Sequence, residues 1–281
     1  MRIAFLAAAL LAVAAAAGPG VPAAAQQASA TDPALAPILA HPRRAEDRAR
    51  DPSRHPAETL AFFGVRPGMT VVDYLPAGGW YTRILAPYLG PQGRYIAMGP
   101  DLTGETNQYF LNSMGGLADK FAGQAAQWNL GAGAQLSGFN VDGYPESLDG
   151  QVDRVLIFRE LHNQFRFGWL HADLTAIRRM LKPGGLVGLT DHRADEQAPW
   201  AQRNGSTGYL RESDVVALMR AYGFELAGRS DINANPRDTK DYPGGVWTLL
   251  PGLRGVTDET RARISAIGES DRMTLLFRKV D

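Results

Sequence analysis

Residues 71–90 constrain the fold of this chain more than any other stretch. Their sequence, VVDYLPAGGWYTRILAPYLG, joins an apolar strand that ends at Asp73 to an amphipathic helix through a turn of proline and glycine. In α/β folds, a strand that feeds a glycine turn and opens a helix presents backbone N–H groups and a positive helix end to a nucleotide-like ligand. The sequence therefore predicts a ligand-binding turn at this point.

The rest of the chain alternates between strand-like and helix-like segments. Strands are predicted at 71–73, 94–98, 133–139, 152–158, 186–191, 224–231 and 273–280. Helices are predicted after the first strand, at 106–129 with an interruption at Gly115 and Gly116, along the segment before Lys182, and from Ser213. This alternation predicts one open, mostly parallel sheet with right-handed crossovers.

Ligands bind to such sheets at the carboxyl ends of the strands. In this chain those ends carry Asp73, Asp101, residues 160–163, Asp191 and His192. These residues are therefore the first candidates for a functional site.

The first 25 residues have the composition of a secretory signal peptide. Arg2 supplies the positive start, residues 3–17 form an apolar stretch, and the alanines at 23–25 form a small-residue cleavage site. The alternative is a membrane anchor, but the apolar run is shorter than the roughly 18 residues that a span needs. We expect a signal peptide at 1–25, a flexible or helical extension at 26–54, with 26–40 a flexible lead-in, and one domain at 55–281. The mature protein is expected to be periplasmic or secreted, with no stable membrane span.

Composition excludes several other kinds of protein. The chain has 29 basic and 29 acidic residues, so it lacks the positive charge typical of nucleic-acid binding. It has no cysteine, which excludes disulfides, thiolate metal sites and a cysteine nucleophile. The arginines between 43 and 54 alternate with acids, which favours a solvated face with local ion pairs. Alternatively, some of them cover the mouth of the ligand site together with His55.

Two segments carry a resemblance to a known family. The sequences ELHNQ (160–164) and AIRRMLKPGGLVGLTDH (176–192) resemble the end of the fourth strand, the following helix and the fifth strand of class I S-adenosylmethionine-dependent methyltransferases. The run that begins DPSRHPAETLAFFGVRPGMTVVDYLPAGGWY is similar to a bacterial group of exported methyltransferase-like proteins. The resemblance implies a Rossmann-like α/β fold with a seven-stranded, mostly parallel sheet, helices on both faces and an antiparallel last strand.

The resemblance also implies S-adenosyl-L-methionine as the cofactor. In this family the acid at the end of the first strand and the glycines after it hold the amino-acid part of the cofactor, and a second acid binds the ribose. Carried onto this chain, the candidate cofactor-binding residues are Asp73, Pro76, Ala77, Gly78, Gly79, Tyr81 and Asp101.

The chain departs from the family pattern at three positions. Leu75 and Ala77 stand where the first two glycines of the turn belong, and a Cβ atom at these positions disfavours positive φ and close backbone approach. Gly99 stands where the ribose-binding acid belongs, with Asp101 two positions later.

The candidate catalytic residues are His162, Asp191 and His192. His162 either faces the substrate or hydrogen-bonds the neighbouring backbone. Asp191 and His192 form either a general-base pair, in which the carboxylate orients the imidazole, or a helix cap beside an exposed histidine. No metal site is predicted, because no pair among His55, His162 and His192 has the spacing of a zinc-protease motif.

Taken together, the sequence favours a methyltransferase that uses S-adenosylmethionine and acts on an unidentified small molecule or protein group. The alternative is a non-catalytic exported protein that keeps the fold and binds a ligand, which the substituted glycines favour. A third reading, another nucleotide-like ligand, rests on fold analogy alone.

Overall fold

The computed structural model describes residues 30–280, so the predicted signal peptide at 1–25 lies outside the described residues. The described part of the chain contains one sheet of eight strands. They are β1 (Thr70–Tyr74), β2 (Arg94–Gly99), β3 (Gln135–Asn140), β4 (Val152–Phe158), β5 (Leu181–Ala194), β6 (Leu210–Arg211), β7 (Phe224–Ser230) and β8 (Arg272–Lys279). All seven predicted strands are present.

The strand order is β3-β2-β1-β4-β5-β8-β7. Strands β1 to β5 are mutually parallel, and β8 runs antiparallel to both β5 and β7. This confirms the predicted mostly parallel sheet with an antiparallel last strand. The unpredicted strand, β6, pairs with the end of β5 over two residues, which is too short for a sequence pattern to reveal.

The helices of the described residues connect these strands or precede the first of them. They are α1 (Leu35–Ala40), α2 (Asp51–Arg54), α3 (Pro56–Phe62), α4 (Thr82–Leu89), α5 (Gln108–Met114), α6 (Leu117–Gln127), α7 (Leu161–Phe167), α8 (Leu170–Met180), α9 (Trp200–Arg203), α10 (Glu212–Ala221) and α11 (Asp258–Ile267). The predicted interruption at Gly115 and Gly116 separates α5 from α6, where Gly116 has a φ of +63°.

The sheet has a hydrophobic core on each face, because successive residues of a strand point to opposite sides. In β1, Val72 and Tyr74 join one core and Val71 joins the other. The first core includes Leu174 of α8, and the second includes Ile84 of α4. The predicted arrangement of helices on both faces is therefore confirmed.

Helix α3 begins at a proline and is followed by a glycine. Pro56 occupies its first position, Leu60 and Phe63 are fully buried, and Gly64 follows with a φ of +62°. The ring of Phe63 lies directly over Gly188 of β5, where an added Cβ would come within 2.5 Å of the ring. Close contact between this helix and the sheet therefore depends on the glycine.

The segment before α3 differs from the sequence expectation. Residues 35–40, expected in a flexible lead-in, form α1, and Leu35 is buried in the core that contains α4. Arg44 and Arg54, expected on a solvated face, are also buried, with their guanidinium groups 5.0 and 4.8 Å from the ring centre of Trp80. Aromatic stacking accommodates these guanidinium groups in a way that charge alternation does not predict.

The segment between β7 and β8 contains a short 3₁₀-helix (Gly245–Thr248) and α11. It extends across the carboxyl ends of the central strands. None of the helices in residues 30–280 is long and apolar enough to cross a membrane.

Candidate functional site

The turn after β1 keeps the backbone shape of a glycine-rich turn despite two substitutions. Leu75 has a φ of +48°, Ala77 a φ of +47° and Gly79 a φ of +75°. Leu75 and Ala77 therefore adopt positive φ although their Cβ atoms disfavour it. Non-glycine residues in this conformation cost roughly 1–3 kcal/mol each, so the surrounding structure holds the turn in place.

The two glycines of the turn have different surroundings. A Cβ atom at Gly79 would lie 2.4 Å from the ring of Trp128, whereas one at Gly78 would meet nothing within 4 Å. Gly78 instead faces a surface depression that Arg83 and Trp128 also line. Gly79 thus permits close packing, and Gly78 stays at the exposed side of the turn.

A cavity of about 310 Å³ lies on the other side of the turn. Leu75, Pro76 and Ala77 form one wall, helices α5 and α6 form the opposite wall, and Glu160 and Asn163 close one end. This volume lies at the lower end of the range of about 300–1,000 Å³ for small-molecule sites. Pro76 and Ala77 therefore lie where the sequence places cofactor-binding residues.

Asp73 lies at the end of β1, beneath the turn, and is 1% exposed. Its carboxylate accepts a hydrogen bond of 2.7 Å from the Tyr95 hydroxyl. Burial raises the pKa of Asp73 to about 7, against the lowering effect of that hydrogen bond. Asp73 forms no salt bridge with any residue in 30–280.

Tyr81 does not line the 310 Å³ cavity and is packed in the hydrophobic core instead. Its ring stacks on Phe158 at the end of β4, with 3.5 Å between ring centres and 9° between ring planes. The residue is 7% exposed and belongs to the core beneath the turn. Tyr81 is therefore placed to support the turn from below.

The end of β2 accounts for the glycine that replaces the expected ribose-binding acid. A Cβ atom at Gly99 would lie 2.4 Å from the Asn140 amide nitrogen. That amide donates to the carbonyl oxygens of Pro100 and Met114, and its oxygen accepts from the Leu117 N–H at the start of α6. A polar side chain from β3 thus occupies the space beside the end of β2.

Asp101 lies in the loop after β2. Its carboxylate accepts from the backbone N–H and hydroxyl of Thr103, and its own N–H donates to Asp173 at 3.0 Å. Asp173 also accepts from Tyr74 and Gln164. Burial raises the pKa of Asp173 to about 6. This network fixes the Asp101 loop relative to β1, although Asp101 is not part of the wall of the 310 Å³ cavity.

The three candidate catalytic residues form one cluster at the ends of β4 and β5. Asp191, fully buried, accepts from both the backbone N–H and the Nδ1 of His162, at 3.0 and 2.9 Å. It also accepts from the backbone N–H of His192 at 2.8 Å. The Asp191 carboxylate therefore orients the imidazole of His162, whereas the sequence analysis paired it with the imidazole of His192. It also caps the start of α7.

His192 is buried, whereas one reading of the sequence left it exposed. Its Nδ1 lies 2.5 Å from the Ser270 hydroxyl, and its ring centre lies 5.2 Å from that of His162. Burial lowers the pKa of His192 well below its usual value, and the charges of His162, Arg159 and Arg272 lower it further. This imidazole is therefore neutral at neutral pH.

Both imidazoles line a second cavity, of about 220 Å³. Its far wall comes from the segment between β7 and β8 and includes Trp247, Leu250 and Pro251. No role for this segment follows from the sequence. The structure shows that it covers the imidazole cluster.

Glu160 and Asn163 line both cavities and so lie at the junction between them. The Glu160 carboxylate accepts from the Asn163 amide at 2.7 Å and forms no salt bridge within residues 30–280. Burial raises the pKa of Glu160. The sequence placed both residues at a strand end but did not select them, because their position between two cavities depends on the fold.

The charges around the first cavity fit a ligand that carries positive charge. Asp73 and Glu160 are acids whose pKa values are raised mainly by burial, and neither forms a salt bridge within residues 30–280. A positive group brought into the first cavity would stabilise their charged forms. Buried acids of this kind, in a cleft, are typical of functional sites.

Comparison with known proteins agrees with this architecture. No protein-family model matches the chain, and no curated protein sequence does. Among solved structures, the chain is similar to an S-adenosylmethionine-dependent methyltransferase from Aquifex aeolicus, with a TM-score of 0.52, 15% identity, and coverage of 85% of this chain and 96% of that one. It is also similar to the [4+2]-cyclase SpnF, with a TM-score of 0.51, 16% identity, and coverage of 81% and 80%. The chain therefore has the class I S-adenosylmethionine-dependent methyltransferase fold.

Proposed function

We propose that this protein transfers a methyl group from S-adenosylmethionine to an acceptor bound beside His162 and His192. The observation that carries the proposal is the pair of cavities that meet at Glu160 and Asn163. A transfer reaction requires donor and acceptor to be held in contact and in line, and two adjoining cavities provide that arrangement.

The first cavity supplies the donor site. The cofactor carries its methyl group on a positively charged sulfur and also carries an ammonium group. Glu160 lines this cavity, Asp73 lies buried beneath its turn, and neither acid forms a salt bridge within the described residues. Leu75, Pro76 and Ala77 provide the backbone wall against which the cofactor would lie. These features support S-adenosylmethionine as the cofactor.

The second cavity supplies the acceptor site. An ionised Asp191 can only accept hydrogen bonds, so in that arrangement Nδ1 of His162 donates to it and Nε2 is the ring nitrogen that faces the acceptor. Such a nitrogen can take a proton from a hydroxyl or amine group of the methyl acceptor, or bind another electrophilic group. The acceptor itself is a small molecule or a side chain that fits beneath Trp247.

A second candidate function is binding without transfer. The positive φ values of Leu75 and Ala77 favour it, because their Cβ atoms lie on a turn where the family usually has none. The similarity to SpnF, described as a [4+2]-cyclase, also shows that proteins similar to this chain are not all described as methyltransferases.

Transfer and binding are distinguished by following a labelled methyl group. The protein would be incubated with S-adenosylmethionine tritiated on the methyl group and with small-molecule, lipid and protein fractions of a cell extract. We expect label in one fraction, and a loss of about 100-fold in its rate for His162→Gln, the usual scale for a general acid–base residue. Cofactor affinity of this variant should equal that of wild type, which shows that it is folded. Cofactor binding by wild type without transfer to any fraction would favour the second candidate.

We also propose that the protein is exported, on the basis of the charged start, apolar stretch and alanine-rich site of residues 1–25. N-terminal sequencing of the protein from the periplasmic fraction should give a start near residue 26. A protein that retains Met1 would contradict export.

A further inference from the structure

We propose that His162 and His192 bind one divalent transition-metal ion in the second cavity, with Asp191 and Ser270 as the groups that orient the two imidazoles. The spacing of histidines in the sequence predicts no metal site. Folding nevertheless brings His162, Asp191 and His192 together, with potential ligand atoms that lie within 4.8 Å of one another.

Hydrogen bonds hold both rings through their Nδ1 atoms. Nδ1 of His162 is paired with Asp191 and Nδ1 of His192 with Ser270. Neither Nε2 atom has a hydrogen-bond partner in the part of the chain that the structure describes, and both rings line the same cavity. Histidines that bind metals usually donate their other ring N–H to a carboxylate, carbonyl or similar oxygen, which fixes the tautomer and the ring orientation.

The distance between the two rings also suits a shared metal ion. The ring centres of His162 and His192 lie 5.2 Å apart, and the ring planes are inclined by 61°. Two imidazoles that bind the same ion at about 2.1 Å, with an angle between tetrahedral and octahedral values, have ring centres roughly 5 Å apart. The observed separation of the ring centres is close to that value.

The same cavity also contains a carboxylate that could bind the metal ion. Glu160 lines the same cavity, and the only side-chain hydrogen bond that its carboxylate makes within residues 30–280 is to Asn163, so one oxygen remains available. Glu269 also lines the cavity, but three arginines already occupy its carboxylate. Two imidazoles and one carboxylate form a donor set that suits zinc, iron or nickel and leaves positions for water or substrate.

A metal bound through Nε2 would occupy the lone pair that His162 otherwise offers to a proton. The metal would instead lower the pKa of a coordinated acceptor group and hold it near the junction of the cavities. The proposal does not depend on methyl transfer, because it concerns these side chains alone. It is tested without S-adenosylmethionine, so its failure and that of the proposed function are separate results.

The test is titration of chelator-treated full-length protein with Zn²⁺ by calorimetry, and with Co²⁺ by visible absorption. We expect one equivalent of each ion to bind, with Co²⁺ absorption bands typical of nitrogen ligands. His162→Gln and His192→Gln should each weaken Zn²⁺ binding about 100-fold and abolish the Co²⁺ bands. Asp191→Asn should weaken binding by about 10- to 100-fold, the usual effect of losing such an orienting partner, and shift the bands.

The control is His171→Gln, because His171 is exposed on α8 and does not line the second cavity. This variant should bind Zn²⁺ as wild type does. Circular dichroism would confirm that each variant is folded, and His192→Asn provides a second variant should His192→Gln unfold. Failure of wild type to bind an equivalent of either ion, or equal binding by wild type and both cluster variants, would overturn the proposal.

Discussion

Two sets of buried acids lie at the same edge of the sheet, and their surroundings differ. Glu269 is buried among Arg50, Arg54 and Arg272, at 2.8, 3.1 and 2.9 Å. Asp73 and Glu160 have hydrogen bonds to neutral groups and form no salt bridge within the described residues. The chain thus neutralises the charge of Glu269 directly and does not do so for the other two acids. A buried acid in a cleft without an ion-pair partner is a stronger candidate for a functional role than one that is ion-paired.

The structural role of Glu269 gives the largest expected effect. Glu269→Gln keeps the shape of the side chain and leaves Arg54 and Arg272 buried without a counter-charge. Breaking a buried ion pair from one side typically costs about 3–5 kcal/mol, so the free energy of unfolding in urea should fall by that amount. The control is Glu146→Gln, which removes an exposed partner of Arg179 and should leave stability close to wild type. Equal stability of the two variants would remove the distinction between paired and unpaired acids.

Asp73 should affect stability in the opposite direction. The pKa of its carboxyl is about 7 in the folded protein, against 3.8 for an ordinary aspartate, so the folded state holds the proton more tightly. This group therefore destabilises the fold progressively as pH rises from about 4 to 7, by as much as about 4 kcal/mol. Asp73→Asn should remove this loss and be more stable than wild type at pH 8.

Urea unfolding of wild type and Asp73→Asn from pH 4 to 8 measures that difference. Asp149→Asn is a control with the opposite sign, since a hydrogen bond from Tyr144 lowers the pKa of Asp149 and ionised Asp149 supports the fold. Parallel stability curves for wild type and Asp73→Asn would show that Asp73 is not an unpaired buried acid.

The turn above Asp73 can be tested through its two glycines. Gly79→Ala would place a methyl group 2.4 Å from the Trp128 ring at a φ of +75°, and we expect a loss of about 2–4 kcal/mol in the free energy of unfolding. Gly78→Ala meets nothing within 4 Å and should change it by less than about 0.5 kcal/mol. Thermal unfolding of both variants would check the comparison. Equal losses would mean that the turn is not held as described.

The smallest expected effect is at Ala77. Ala77→Gly relieves the positive φ of +47° and also makes the unfolded chain more flexible, so stability should change by less than about 1 kcal/mol. Removal of the methyl group should allow closer approach to the turn and raise affinity for S-adenosylmethionine severalfold. Calorimetric titration measures the change, and a weaker affinity would show that the methyl group contributes to the binding wall.

Most of the fold could be predicted because its signals are local. Strand β4 was predicted with its exact bounds, Val152–Phe158, since a continuous apolar run is typical of a central parallel strand. Strand β6 could not be predicted, because two residues carry no periodicity. Helix α1 was missed because the proline-interrupted segment 26–40 resembles a linker, whereas Leu35 is buried against α4.

The candidate site residues likewise divide into those that a local sequence pattern reveals and those that only the fold brings together. Pro76 and Ala77, two candidates from the sequence, line the first cavity, and contiguous residues form the turn that carries them. The imidazole cluster beside the second cavity joins His162 to Asp191, 29 residues away, and His192 to Ser270, in a segment with no recognisable pattern. Pairing of Asp191 with His162 instead of His192 follows from the alternation of side chains across β5 and the position of α7, which no local pattern reveals.

The most direct test of the account is calorimetric titration of the folded protein with S-adenosylmethionine and with its demethylated product at pH 8. We expect one molecule of either ligand to bind, and Glu160→Gln to bind S-adenosylmethionine about 10- to 100-fold more weakly, because a hydrogen bond to a charged group contributes about 1.5–3 kcal/mol. Absence of binding heat with wild type at high micromolar ligand would contradict the account.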